Sequence, residues 1–137
     1  LLTRVVLEKQ GRARRFLMLD AGMNDLLRPS LYEAWHDIVR VGGDAGREQV
    51  AYDVVGPVCE TGDTFAQQRE MPRCEAGDLV AILGAGAYGA SMASTYNSRP
   101  LAAEVLVEDG RYALIRKRQD FDAMIADERP ANEWKSA

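Results

Sequence analysis

The sequence contains little of what metal sites and hydrolytic triads are built from. It has two cysteines, Cys59 and Cys74, and one histidine, His36, in 137 residues. The two cysteines are too far apart to match the paired spacing of zinc ligands, and no serine and aspartate motif accompanies His36 to indicate a triad. We therefore predict no metal site, and we expect both cysteines to remain thiols in a reducing compartment.

Long apolar runs and clustered basic charge are also lacking. Runs such as residues 79–83 are far shorter than the roughly 20 residues that cross a bilayer, and the first residues show no signal-peptide pattern. The formal net charge is −4 and the pI is near 5.0, whereas a nucleic-acid-binding domain needs a clustered basic face. These absences predict a cytoplasmic protein that binds neither membranes nor nucleic acid.

What the sequence does contain is the composition of one globular domain. Hydrophobic residues make up 47% and charged residues 28% of the chain, which is enough for a single core. The chain begins with Leu1 and Leu2, without a methionine, directly in an apolar segment. We therefore expect residues 1–137 to be one domain of a longer polypeptide.

The apolar pattern predicts strands separated by tight turns. The predicted strands are residues 3–9, 14–20, 38–41, 49–55, 79–83, 101–108 and 111–116. Asp109 and Gly110 lie between the last two, where a two-residue hairpin needs positive φ values. Residues 64–72 show little periodicity and are not assigned a strand.

Two short helices complete the prediction. Pro29 restricts the first, within residues 25–35, to one or two turns. Asp120 is predicted to cap the second, within residues 120–127. The residues of this helix that are predicted to face inward are Phe121, Met124 and Ile125. Many strands with short helices indicate a mainly β fold, an antiparallel sandwich or barrel.

The segment GPVCETGD, residues 56–63, places a thiol beside a carboxylate on a glycine-flanked turn. Polar and flexible positions follow Cys59, so the thiol is predicted to be accessible. A thiol with an ordinary pKa of about 8.5 can be tuned to exchange a proton near neutral pH, which suits a general acid. On these residues alone, a half-buried turn thiol is an equally good interpretation of Cys59, and a solvated acid is the default interpretation of Glu60.

Two further segments carry informative side chains. In DAGMNDLLRPSLY, residues 20–32, Arg28 and Tyr32 are four residues apart. On one helical face they would present a guanidinium and a phenol to the same carboxylate. In GAGAYGASM, residues 84–92, small neighbours leave the Tyr88 ring unshielded, and no dinucleotide or P-loop fingerprint is present. Taken alone, Arg28 would be a surface residue and Tyr32 part of the core.

Together and in this order, the three segments resemble the C-terminal domain of the diaminopimelate decarboxylases, a family of fold-type III pyridoxal-phosphate enzymes. The resemblance runs from about residue 3 to residue 121. It implies the mainly β, sandwich-like or barrel-like C-terminal domain of these enzymes.

The resemblance also implies roles for five residues. Cys59 is expected to donate a proton to the carbanion left by decarboxylation, and Glu60 to contact the amino group at the far end of the substrate. Arg28 and Tyr32 are expected to bind the distal carboxylate. Tyr88 is expected to lie against both the cofactor and the substrate.

Further parts are implied to lie outside this chain. Pyridoxal 5'-phosphate needs a Schiff-base lysine and a phosphate cradle, which in the family belong to an N-terminal (β/α)8 barrel. Residues 1–137 are thus expected to be inactive alone and to supply part of an active site that two subunits of a homodimer share. The implied reaction converts meso-2,6-diaminopimelate to L-lysine and CO2, the last step of lysine biosynthesis.

Two alternatives stay open. One is a decarboxylase of the ornithine or arginine type, although those enzymes tend to carry aspartate at the position of Glu60. The other is a non-catalytic relative that retains the domain. Intact Cys59, Glu60, Arg28, Tyr32 and Tyr88 count against the second alternative.

Overall fold

A computed structural model of the chain describes residues 1–43, 45–132 and 134. The strands are β1 (Leu2–Gln10), β2 (Arg15–Leu19), β3 (Ile38–Arg40), β4 (Gln49–Val55), β5 (Thr64–Pro72), β6 (Leu79–Ile82), β7 (Glu104–Glu108) and β8 (Arg111–Arg116). The helices are α1 (Arg28–Tyr32), α2 (Ala87–Ala90) and α3 (Phe121–Met124), and a 3-10 turn spans Tyr96–Ser98. Within these ranges, every helix is too short to cross a bilayer.

Six of the strands form one sheet in the order β3-β6-β1-β2-β4-β5. The two end strands approach each other, because Arg69 of β5 donates from Nη1 to the backbone oxygen of His36, just before β3, at 2.9 Å. The sheet therefore curls into a nearly closed barrel. The mainly β class predicted from the sequence is confirmed, and the sheet is antiparallel except for the parallel pair of β2 with β4.

The core lies inside this curled sheet, because alternate residues of a strand point to opposite faces. Its fully buried side chains include Val5, Leu17, Leu19, Tyr52, Val54, Val80 and Ile82. Burying one large aliphatic side chain stabilises a fold by about 1.5–3 kcal/mol. The sheet is therefore the rigid base on which the connecting segments are held.

The sequence-based prediction for residues 64–72 is wrong, because these residues form β5. The strand pairs antiparallel with β4, but the register shifts near Val54, and Gln68 has a positive φ of 46°. These features mark a bulge in β5. The bulge interrupts the two-residue alternation on which strand prediction depends.

The C-terminal part contains a separate hairpin. Asp109 (φ 49°) and Gly110 (φ 71°) connect β7 to β8, which confirms the predicted turn. Asp120 caps α3 as predicted, since its Oδ1 accepts from the Ala123 N–H at 2.7 Å. Phe121 is 56% exposed, so its predicted inward orientation is wrong: α3 is a single turn beside a hairpin whose own side chains are mostly exposed.

Candidate active site

The turn between β4 and β5, residues 56–63, is folded around one carboxylate, and we call it the site turn. Asp63 is buried and accepts two backbone hydrogen bonds, from Val58 N to Oδ2 at 2.7 Å and from Met23 N to Oδ1 at 2.6 Å. Burial raises the pKa of the Asp63 carboxyl, and the two backbone donors only partly oppose this effect. The bond to Met23 ties the site turn to the segment that leads into α1.

Gly56 makes this arrangement possible. A Cβ atom at this position would lie 2.3 Å from Asp63 Oδ2, which no side chain tolerates. Glycine therefore lets the buried carboxylate lie directly against the backbone that begins the site turn.

Cys59 and Glu60 lie at the solvent side of the site turn. Both residues are exposed, so the predicted accessibility of the thiol is confirmed. Glu60 Oε1 accepts a long hydrogen bond of 3.4 Å from the N–H of Gly62. Cys74, in contrast, is fully buried, and its Sγ donates to the backbone oxygen of Pro72 at 3.2 Å.

Helix α1 carries the predicted carboxylate-binding pair. Pro29 lies in its first turn, where no intrahelical N–H is needed, and Arg28 and Tyr32 lie one turn apart as predicted. Tyr32 is 62% exposed, so it is not part of the core. Ser30 Oγ donates to the backbone oxygen of Gly62 at 2.5 Å, which fastens α1 to the site turn.

Tyr88 approaches the same helix from α2. Its ring is 65% exposed, in line with its small neighbours, and the guanidinium carbon of Arg28 lies 5.9 Å from the ring centroid. That distance permits a cation–π contact. Gly89 is buried, and a Cβ built on it would lie 3.3 Å from Leu26 Cδ1, so a small residue there lets α2 pack closely on the segment before α1.

One buried asparagine connects these segments. The backbone oxygen of Asn24 accepts from Ser94 N at 2.9 Å, and its Oδ1 accepts from Arg99 Nε at 3.0 Å. Arg99 also donates from Nη2 to the backbone oxygen of Asp20. The segment after α2 is therefore fixed to the loop that precedes α1.

Tyr96 belongs to the site although the sequence analysis does not assign it a role. Its hydroxyl donates to Glu60 Oε2 at 3.4 Å. The sequence held one signal, because Tyr96 precedes Asn97, a residue type that favours left-handed turns. Its partner, however, lies 36 residues away, and no local pattern indicates such a contact.

The five predicted residues are thus held on segments that hydrogen bonds and packing join. Arg28 comes near Tyr88, and Glu60 near Tyr96. Within the described residues, Cys59 and Tyr32 form no hydrogen bond to the other predicted residues. A thiol, a carboxylate, a guanidinium and phenols in one region suit a small ligand that carries both carboxylate and ammonium groups.

The fold and these motifs define a class of protein. The family described as the C-terminal sheet domain of pyridoxal-dependent decarboxylases matches residues 1–86. The chain belongs to this family.

Three similar proteins are each named diaminopimelate decarboxylase. The chain is 53% identical over 134 residues to the diaminopimelate decarboxylase of Zymomonas mobilis, covering 98% of this chain and 31% of the relative. A crystal structure of diaminopimelate decarboxylase from Helicobacter pylori complexed with L-lysine matches with a TM-score of 0.84 and 47% identity, over 91% of this chain and 30% of that one. A crystal structure of diaminopimelate decarboxylase from M. jannaschii in complex with L-lysine matches with a TM-score of 0.88 and 38% identity, over 94% of this chain and 30% of that one. The chain thus spans under a third of the length of these relatives.

Proposed function

We propose that the polypeptide containing this domain decarboxylates meso-2,6-diaminopimelate to L-lysine and CO2 with pyridoxal 5'-phosphate, as the last step of lysine biosynthesis. The observation that carries the proposal is the fastening of the site turn to α1, through Ser30 Oγ and Gly62 O and through Asp63 and Met23 N. These bonds put an exposed thiol and an exposed carboxylate in the same region as Arg28. The relatives named diaminopimelate decarboxylase, two of them with bound L-lysine, support this substrate class.

The substrate's distal end has a carboxylate and an ammonium group, and the site offers a partner for each. Arg28 and Tyr32, one helical turn apart, bind the carboxylate through a guanidinium and a phenol. Glu60 binds the ammonium group. Ornithine lacks a distal carboxylate, so the Arg28 guanidinium would lose its partner with that substrate.

Cys59 is the proposed proton donor. Its exposed Sγ holds the proton that the reacting carbon receives after CO2 has left. Pyridoxal phosphate, when bound, supplies the electron sink that makes loss of CO2 possible. Tyr88 lies against the bound group in this proposal, which is supported by the exposure of its ring and by the open space around Gly86, where a Cβ would meet nothing within 4 Å.

We infer that the described residues contact the cofactor but do not supply the lysine that binds it covalently. Lys9 lies on β1 and Lys117 follows β8, outside the segments that carry the five site residues, and Lys135 lies outside the described residues. We therefore place the Schiff-base lysine outside this chain, in a barrel domain that precedes it. The domain alone is then inactive.

The proposal includes a homodimer in which one subunit's Cys59 and Glu60 face the cofactor held by the other. The exposure of both residues supports this, since a catalytic thiol needs a covered site to react selectively. We assign the enzyme to the cytoplasm, with no nucleic-acid or membrane partner.

The test is CO2 release by the complete polypeptide with pyridoxal phosphate from meso-diaminopimelate, ornithine and arginine. We expect release from diaminopimelate alone, falling at least ~100-fold in Cys59→Ala, in keeping with the loss of a general acid. Cys74→Ala is the matched control, since it removes the buried thiol. Release from ornithine or arginine instead would show that Arg28 and Tyr32 have been misassigned, and release from none would favour a non-catalytic relative.

The shared site has its own test. Cys59→Ala subunits are mixed with subunits that lack the barrel lysine, each inactive alone. If the site is shared, each heterodimer contains one intact site of its two, and a randomly exchanged equimolar mixture recovers about a quarter of wild-type activity. No recovery would mean that each subunit builds its site alone.

A further inference from the structure

Glu60 is held in place by few contacts of its own. Its side chain is exposed, and Oε1 accepts a long bond of 3.4 Å from Gly62 N, two residues away. A glutamate side chain has three rotatable bonds, and fixing it in one orientation costs conformational entropy. A carboxylate that must meet an ammonium group in one orientation therefore needs a second contact.

Tyr96 provides that contact from across the site. Its hydroxyl donates to the other carboxylate oxygen, Oε2, at 3.4 Å. The bond is long, as hydrogen bonds in ligand-free sites often are before a ligand tightens them. The two oxygens of Glu60 are thus approached from different segments, one within the site turn and one from the 3-10 turn.

The backbone under Tyr96 is unusually well fixed. The next two residues, Asn97 (φ 60°) and Ser98 (φ 56°), are both left-handed, a conformation that is unfavourable for non-glycine residues and persists only where the surroundings impose it. Here Arg99 is bonded to Asn24 Oδ1 at 3.0 Å and to the backbone oxygen of Asp20. The 3-10 turn therefore fixes the backbone position from which the Tyr96 side chain extends.

We propose that Tyr96 is a positioning residue, whose hydroxyl orients the Glu60 carboxylate toward the distal ammonium group of the substrate. This rests on the proposed function, in which Glu60 binds that group. Tyr96 acts through Glu60, so its contribution is specific to ligands that carry the distal amine. Tyr96 makes the site selective for ligands whose distal end carries both an ammonium group and a carboxylate, over ligands whose distal end carries a carboxylate alone.

Two ligands isolate this effect without catalysis. L-Lysine, the product, keeps the distal carboxylate and ammonium group, and 6-aminohexanoate has the same chain and carboxylate but lacks that amine. Dissociation constants are measured by calorimetry on the complete, cofactor-loaded polypeptide. The variants are Tyr96→Phe, Glu60→Gln and the double variant, with Tyr112→Phe as control because Tyr112 is 82% exposed on the β7–β8 hairpin.

We expect Tyr96→Phe to weaken L-lysine binding by about 3- to 10-fold, the usual effect of losing one ordinary hydrogen bond. Binding of 6-aminohexanoate should change by less than about 2-fold, as should both ligands in Tyr112→Phe. In the Glu60→Gln background, Tyr96→Phe should have no further effect on the preference for lysine, because the two residues act as one unit.

Equal weakening of both ligands by Tyr96→Phe would overturn the proposal and assign Tyr96 a general packing role. A full effect of Tyr96→Phe in the Glu60→Gln background would also overturn it, since Tyr96 would then bind the amine itself. If the wild type shows no preference for lysine and Glu60→Gln changes nothing, the proposed function of Glu60 fails, and the role of Tyr96 fails with it.

Discussion

Two turns of this molecule each contain an aspartate and a cysteine, and they differ in the groups that donate hydrogen bonds to the aspartate carboxylate. In the site turn, the Asp63 carboxylate accepts hydrogen bonds from two backbone N–H groups, those of Met23 and Val58. In residues 72–78, which we call the distal turn, Asp78 accepts two bonds of 2.9 Å from the Arg40 guanidinium and one from Glu75 N. Arg40 lowers the pKa of Asp78 to about 2, whereas burial raises that of Asp63.

The cysteines of the two turns also differ, in their exposure to solvent. Cys74 of the distal turn is fully buried, and Cys59 of the site turn is exposed. The ion pair between Arg40 and Asp78 joins the distal turn to β3. In the site turn, the Val58 and Met23 backbone N–H groups hydrogen-bond to the Asp63 carboxylate in the place that Arg40 takes at Asp78.

The largest expected difference between the turns is in thiol reactivity. Cys59 should be alkylated by iodoacetamide at least ~100-fold faster than Cys74, because a fully buried thiol reacts only after local opening. Mass spectrometry of the two cysteine peptides over time, at one pH, measures both rates. Similar rates would mean that the distal turn opens readily, and the contrast between the turns would not hold.

The next prediction concerns glycines, which the two turns use for different reasons. Gly56→Ala should destabilise this chain by about 3 kcal/mol, since the new Cβ displaces the buried Asp63 carboxylate. Gly77→Ala in the distal turn should cost only about 1 kcal/mol, because its φ of +94° is unfavourable but nothing lies within 4 Å.

Urea denaturation of the variants measures both costs. Gly62→Ala is the control within the site turn, as the nearest atoms to its Cβ lie 3.9 Å away, and it should cost well under 1 kcal/mol. Equal losses at Gly56 and Gly62 would show that the site turn adjusts to bulk and does not depend on the close approach of Asp63.

A smaller effect is expected where the distal turn meets the core. Tyr52 is buried, donates to Glu8 Oε1 at 3.0 Å and accepts from Cys74 N at 3.3 Å. Burial raises its pKa to about 12. Tyr52→Phe should cost about 1–2 kcal/mol in urea denaturation, because it removes the buried hydroxyl and its hydrogen bonds to Glu8 and to Cys74 N. Tyr112→Phe, at an exposed position, should leave stability unchanged.

The smallest expected effect is an opposite pH dependence of the two aspartates. The pKa of Asp78 is lowered when folded, so its contribution, on the order of 1 kcal/mol after solvent screening, is present above about pH 4 and lost as pH falls toward about 2. The pKa of Asp63 is raised, so its contribution is present below about pH 4 and declines as pH rises.

Unfolding free energies of the wild type, Asp78→Asn and Asp63→Asn across this range check the signs. The stability advantage of the wild type over Asp78→Asn should grow with rising pH. Its advantage over Asp63→Asn should shrink. Slopes of the same sign would contradict the difference in carboxylate environments.

Local chemistry in the sequence predicted the parts of the fold that depend on near neighbours. Asp109 and Gly110 determine a hairpin because both adopt positive φ. The polar residues after Cys59 likewise predicted an exposed thiol. In contrast, the parallel pairing of β2 with β4 joins strands that are separated in the chain by α1 and β3, and no short pattern encodes it. The bulge at Gln68 hid β5 for a related reason, because its backbone departs from the regular pleat.

The candidate site also contains features that local sequence predicted and one contact that it did not. The spacing of Arg28 and Tyr32 predicted their shared helical turn, and small neighbours predicted the exposed ring of Tyr88. The contact between Tyr96 and Glu60 depends on Arg99 and Asn24. These partners are distant in sequence, so the contact became visible only in three dimensions.

The bond between Arg99 and Asn24 joins residues 75 positions apart, which has a consequence for the timing of folding. The β1–β2 and β7–β8 hairpins can form early from local contacts, whereas contacts across long loops form late, because loop closure must come first. Glu60 and Tyr96 therefore meet only after the chain is synthesised well past residue 99. Although Cys59 and Glu60 emerge from the ribosome much earlier, a nascent chain cannot assemble the complete site.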